Sequence, residues 1–125
     1  MDLVEHHFNS YGNTPDHICY RTFRRLFEEI VARGPEGMCD LNIIETGTSA
    51  WGTNSTVLFD AYIRKYGGRF WSVDISKSTI ERARPHVCPS TTLVHDDSVN
   101  FLSRWVASNP GIQAHVVYLD SYDMD

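Results

Sequence analysis

Residues 41–56 constrain the fold more than any other stretch of the chain. Leu41 to Ile44 form a short apolar run interrupted only by Asn42. The run breaks at Glu45 into small residues that include Gly47 and Gly52. A helical pattern starts at Asn54 or Ser55 and carries Val57, Leu58, Phe59, Ala61 and Tyr62. The order is strand, flexible turn, helix.

A turn of this composition has specific physical properties. Gly47 and Gly52 lack a Cβ, so the backbone can take positive φ and be approached closely by a ligand. The helix that follows directs its free N–H groups and its positive dipole end towards the turn. Doubly wound α/β folds bind nucleotide-like ligands in this way. The turn is not a P-loop, because no Lys follows Gly52, and it departs from G-x-G-x-x-G, because Ser49 stands at the second glycine position.

Arg69-Phe70-Trp71-Ser72-Val73-Asp74-Ile75-Ser76 reads as a second strand that ends in an acidic residue. A carboxylate at this place can accept hydrogen bonds from the hydroxyls of an adenosine ribose. The sequence separation from Glu45 to Asp74 exceeds the roughly 20 residues of a compact dinucleotide fingerprint. A long helix and the Tyr66-Gly67-Gly68 turn take up the difference.

The alternation continues along the chain. Ser76 to Arg84 has the pattern of a helix capped by Ser76 and stopped before Pro85. Thr91 to His95 reads as a third strand, and Asp96-Asp97-Ser98 as the cap of a helix with Val99, Phe101, Leu102, Trp105 and Val106 on its buried side. Asn109-Pro110-Gly111 is a turn, and Gln113 to Leu119 a fourth strand. Strands alternating with helices predict a parallel sheet with right-handed crossovers. The expected order is 3-2-1-4, an α/β Rossmann-like doubly wound sheet with the ligand crevice at the carboxyl ends of its strands.

Ahead of this core, residues 1–13 read as a polar segment with a loop at Asn9 to Asn13, and His6 and His7 as solvated. Thr14-Pro15-Asp16 is a helix start. Ile18, Phe23, Leu26, Phe27, Ile30 and Val31 form an apolar stripe that ends at Gly34-Pro35. Arg21, Arg24 and Arg25 fall on the opposite, solvated face. The expected organisation is an N-terminal segment and helix over residues 1–36, followed by the Rossmann-like domain over 37–125.

Composition excludes several classes. The net charge of −5 is the wrong sign for general nucleic-acid affinity. Cys19, Cys39 and Cys88 are widely spaced and odd in number, so neither a zinc site nor a disulfide framework is expected, and reduced thiols point to the cytoplasm. No apolar run reaches the roughly 18 residues of a membrane span, and the first residues carry no signal-peptide pattern.

Four motifs in order give the chain a family likeness. Glu45-Thr46-Gly47-Thr48-Ser49, Val73-Asp74-Ile75, His95-Asp96-Asp97-Ser98 and Val116-Val117-Tyr118-Leu119-Asp120 resemble the motifs of class I S-adenosylmethionine-dependent methyltransferases. The resemblance implies S-adenosylmethionine as cofactor. Glu45 then supports the cofactor turn or approaches the methionine amino group. The backbone of Gly47, Thr48 and Ser49 faces the methionine part, and Asp74 binds the ribose. Ile75 lies against the adenine, which Asp97 and Ser98 also contact. Trp51 either stacks on the ligand or covers the core.

Asp120, at the end of the fourth strand, is the one well-placed candidate for a catalytic base or acceptor-positioning residue. His95 and His115 read as packing residues. No metal centre is expected. Asp120, Asp123 and Asp125 form the one oxygen-ligand set suited to Mg²⁺ or Ca²⁺, although acidic runs at chain ends are as a rule solvated.

The family sheet continues beyond a fourth strand. The chain is therefore expected to hold the N-terminal, cofactor-binding portion, or to complete its sheet by pairing with a second copy along an exposed edge. The expected function is methyl transfer to a small-molecule acceptor, without nucleic-acid or membrane partners. The competing readings are a nicotinamide-dependent oxidoreductase domain and a non-catalytic binding or assembly module.

Overall fold

The structure is a computed structural model and describes residues 3–10, 18–32, 40–48 and 54–119. In chain order the elements are α1 (Leu3–Ser10), α2 (Ile18–Ala32), β1 (Leu41–Thr46), α3 (Ser55–Tyr66), β2 (Gly68–Asp74) and α4 (Lys77–Ala83). A 3₁₀ turn (Arg84–His86), β3 (Thr91–His95), α5 (Ser98–Ser108) and β4 (Val116–Leu119) follow. The four strands form one parallel sheet in the order β3-β2-β1-β4, as the alternation of strands and helices predicts. Among the described residues, no helix is long and apolar enough to cross a membrane.

The two central strands, β1 and β2, place apolar side chains on both faces of the sheet, each face against its own cluster. Leu41 and Ile43 of β1, Phe70 of β2 and Val116 of β4 join Leu58, Phe59, Tyr62 and Ile63 of α3 in the larger core. Phe23 and Ile30 of α2 complete it from outside, with Leu26 and Phe27 packed at its margin. The stripe read along α2 is thus the buried stripe. The side chains of Ile18 and Val31 lie outside the described residues, as do the helix start at Thr14-Pro15-Asp16 and the stop at Gly34-Pro35. On the opposite face Ile44, Val73, Phe101 and Trp105 form a second, smaller cluster.

Two expectations are corrected here. The segment read as polar contains α1, whose Val4 and Phe8 are buried in the larger core. His7 is buried too, edge-on to Phe8 at 5.3 Å. Only three apolar residues, Leu3, Val4 and Phe8, mark this helix, and eight residues are too few to form a stable helix alone. Packing against α2 and α3 decides it. The second correction concerns α5, where Phe101 and Trp105 face the sheet but Val99 and Val106 are 68% and 65% exposed. At 100° per residue, positions 99 and 106 share a flank that the 101/105 face turns away from the sheet.

Local signals position the strand ends. Ser76 caps α4, its side chain accepting from the Thr79 amide at 3.3 Å. Asp97 caps α5, its Oδ1 accepting from the amides of Val99 and Asn100 at 2.9 and 3.1 Å. Gly68, at φ +111°, starts β2 where a Cβ would lie 2.3 Å from the Leu41 carbonyl oxygen, so the glycine is required there. At the far end of the sheet, Asp60 of α3 accepts from the Cys88 amide (2.9 Å), the Thr91 hydroxyl (2.6 Å) and Arg64 (2.7 Å). This buried carboxylate fastens α3 to the entry of β3 and raises the Arg64 pKa above its usual value.

Candidate functional site at the carboxyl ends of the strands

The parallel register brings the last residues of β1, β2 and β3 side by side: Thr46 opposite Val73, and Asp74 opposite His95. The glycine turn leaves β1 at this edge. It is held down by three consecutive residues of β2. The Gly47 amide donates to the Val73 carbonyl at 2.8 Å, extending the ladder one residue into the turn. The Thr48 amide donates to Asp74 Oδ2 at 3.0 Å. The Thr48 and Ser72 hydroxyls are hydrogen-bonded at 2.8 Å. Gly47 sits at φ +92°, the left-handed region that its missing Cβ leaves open to it.

Glu45 lies beneath this turn and is 0% exposed. Its Oε1 accepts from the Thr56 hydroxyl at 2.5 Å and the Ser72 hydroxyl at 2.7 Å. Its Oε2 accepts from the Ser55 hydroxyl. Ser55 and Thr56 are the first two residues of α3, so the carboxylate rests against the positive end of that helix. Burying a carboxylate costs several kcal/mol unless it is compensated. Three hydroxyl donors and a helix terminus supply the compensation. Ser55, Thr56 and Ser72 are the residues of the site that motif reading missed. The available signals were a Ser-Thr pair opening the helix after a glycine turn, and a lone Ser between Phe70-Trp71 and Val73 in the middle of β2.

Asp74 is half-buried and bridges two segments. Beside its bond to Thr48, its Oδ1 accepts from the Ser76 amide at 2.7 Å. A carboxylate has about four lone-pair directions, so both oxygens keep capacity for further donors. Ile75 follows as an open apolar surface, 73% exposed. Its carbonyl accepts from His95 Nε2 at 3.0 Å, which places the ring proton on Nε2. The Asp96 amide donates to the Asp74 carbonyl at 3.0 Å, so the segment bearing Asp97 and Ser98 is tied to the end of β2. Asp97 Oδ2 takes no hydrogen bond among the described residues, while Ser98 opens α5 with one of the amides that a helix leaves unbonded.

The structure therefore brings Glu45, Gly47, Thr48 and Asp74 into one hydrogen-bonded unit, with Ile75, Asp97 and Ser98 at the same end of the sheet. Ser49, Trp51, Asp120, Asp123 and Asp125 lie outside the described residues. His95 and His115, expected as packing residues, are instead exposed and bonded to backbone: His115 Nδ1 accepts from the Asn42 amide at 2.9 Å and helps to seat β4 on β1. Among the described residues, no group of three or more His, Cys, Asp or Glu is placed to hold a metal ion.

The electrostatics of this end are acidic. Asp74 is half-buried and Asp97 exposed at this end of the sheet, Asp96 is paired with Arg104 of α5, and Glu45 is buried. Such a surface attracts cationic groups and repels phosphates. No family model, no curated protein and no solved structure matches the chain.

Proposed function

We propose that the chain is the cofactor-binding portion of an S-adenosylmethionine-dependent methyltransferase that acts on a small-molecule acceptor. The observation that carries this reading is the position of Glu45, an anion sealed against the start of α3 beneath the glycine turn. A dinucleotide lays its pyrophosphate at this helix start. Here the protein's own carboxylate rests against it, and a second anion nearby is repelled across a medium of low dielectric. S-adenosylmethionine carries no phosphate. Its sulfonium and amino groups are positive and complement an end of the sheet that carries the Asp74 and Asp97 carboxylates. The nicotinamide-dependent alternative is the weaker reading for the same reason.

In this assignment Asp74 accepts from the ribose hydroxyls with the lone pairs that Thr48 and Ser76 leave. Ile75 offers the adenine an apolar face. Asp97 Oδ2 accepts from the exocyclic amine, and the Ser98 amide donates to a ring nitrogen. The backbone of Gly47, Thr48 and Ser49 receives the methionine part. The bound cofactor supplies an already activated methyl group, so the protein's work is binding and in-line orientation. Asp120 remains the candidate for orienting the acceptor or taking its proton.

Calorimetric titration with S-adenosylhomocysteine, with NAD as control, tests the reading. Wild type is expected to bind the first in the micromolar range and not the second. Asp74→Asn removes the charge from two or more hydrogen bonds, each worth about 1.5–3 kcal/mol when charge-assisted, and weakens binding roughly ten- to a hundredfold. Tighter binding of NAD than of S-adenosylhomocysteine would overturn the assignment.

The proposal extends to a cytoplasmic setting, consistent with the free thiol of Cys88, and to self-association through β4. That strand ends the sheet among the described residues, and Leu119 is 70% exposed on it. Unpaired strand edges recruit partners, and a second copy is the partner expected here. Sedimentation equilibrium should report a dimer at high concentration; a monomer throughout rejects this part of the proposal.

A further inference from the structure

The hydrogen bonds around the turn form a directed chain. Glu45 Oε1 only accepts, so Ser72 Oγ donates its single proton to it at 2.7 Å. With that proton committed, Ser72 Oγ must accept from Thr48 Oγ1 at 2.8 Å. Thr48 in turn donates its amide to Asp74 Oδ2 at 3.0 Å. One buried hydroxyl in the middle of β2 thereby links the sealed anion beneath the turn to the carboxylate at the strand end. Ser72 is wholly buried.

We propose that Ser72 is a positioning residue of the crevice: it fixes the rotamer of Thr48, and through Thr48 the orientation of Asp74 and of the Gly47–Thr48 backbone. The inference rests on the S-adenosylmethionine reading and adds to it a residue that no motif marks. An apolar residue in its place would leave Thr48 Oγ1 without an acceptor and free it to rotate. The Thr48 amide, Asp74 and the turn would then be held by fewer constraints. Sites lose affinity when their supporting groups are loosened, even where every contacting residue is kept.

The test compares Ser72→Ala, Ser72→Cys and Thr48→Val with wild type, reading affinity for S-adenosylhomocysteine by calorimetry below each melting temperature, and stability by thermal melting. Thr91→Val serves as control: it removes a buried hydroxyl bond of the same kind, to Asp60 at 2.6 Å, at the opposite end of the sheet. Ser72→Ala and Thr48→Val are each expected to raise Kd about tenfold, equivalent to roughly 1.4 kcal/mol. The double variant should be no weaker than the weaker single, because both changes cut one chain. Ser72→Cys, which keeps a weak donor and acceptor, should recover part of the loss and covers the case in which Ser72→Ala does not fold. Thr91→Val should lower the melting temperature and leave Kd unchanged. Unchanged Kd in the Ser72 and Thr48 variants, with lowered melting temperatures, would show that the chain serves stability alone and overturn the proposal. Failure of wild type to bind S-adenosylhomocysteine overturns the functional reading and this inference with it, and is distinguished by appearing before any substitution.

Discussion

Glu45→Ala is expected to destabilise the fold by about 3–5 kcal/mol, near the upper end of single-substitution effects. The side chain is fully buried, and its oxygens take the hydroxyl protons of Ser55, Thr56 and Ser72. Truncation removes the acceptor and leaves three buried hydroxyls seeking partners, each unsatisfied group costing about 1–3 kcal/mol before relaxation. It also opens a cavity between β1 and the start of α3, and removes the negative charge that the helix terminus favours. Glu45→Gln keeps the shape and one acceptor oxygen but presents an NH₂ group to hydroxyls that need to donate, so it should lose less, about 1–3 kcal/mol. Urea denaturation at neutral pH measures both. For a chain of this length the alanine variant corresponds to a fall in melting temperature of roughly 10–20 °C. A loss below about 1 kcal/mol for Glu45→Ala would mean that water readily replaces the carboxylate, and the sealed-anion argument would fail with it.

Phe59→Ala is expected to cost a similar amount, about 3–5 kcal/mol, by a different mechanism. Phe59 is 0% exposed at the centre of the larger core. Its ring lies 5.6 Å from Phe23 of α2, 5.5 Å from Phe70 of β2 and 5.6 Å from Tyr118 of β4. One side chain of α3 thus holds an outer helix and two strands at once. Truncation forfeits the transfer free energy of the ring and leaves a cavity that rings fixed on three other elements cannot collapse to fill. Phe59→Leu retains most of the apolar volume and should cost roughly 1–2 kcal/mol. The denaturant midpoint should fall with an unchanged slope, since cooperative unfolding is retained. Equal stability of the Ala and Leu variants would show that the cavity is filled by rearrangement, contrary to this packing argument.

Much of the scaffold was legible because it rests on local chemistry. The short apolar run at 41–44, the largely β-branched run at 91–94, the Ser76 and Asp97 caps and the glycines at 47 and 68, which alone take positive φ at little cost, are local signals. Strand order followed from that alternation together with the doubly wound arrangement expected of such a chain. The first helix was not legible: its buried apolar residues, Val4 and Phe8, carry too little periodic signal, and its stability comes from surfaces remote in sequence. Nor was the outward turn of Val99 and Val106, since an apolar residue on a helix flank looks the same in sequence as one on its buried face.

The site divides in the same way. Glu45, Gly47 and Asp74 stand at strand ends, and a strand end can be located from pattern. What Glu45 does there could not be located, because its partners come from three separate places: Ser55 and Thr56 ten and eleven residues on, and Ser72 twenty-seven residues on. The strands, the helices that follow them and the expected sheet order could be read from the chain alone, because propensity, capping and connectivity act over short range. Only the tertiary structure decided that Glu45 is sealed rather than open, that Ser72 links it to Thr48, and that Asp74 is tied to the turn. Those outcomes depend on which side chains the parallel register of β1 and β2 brings within hydrogen-bond distance, and on burial that makes each such bond count.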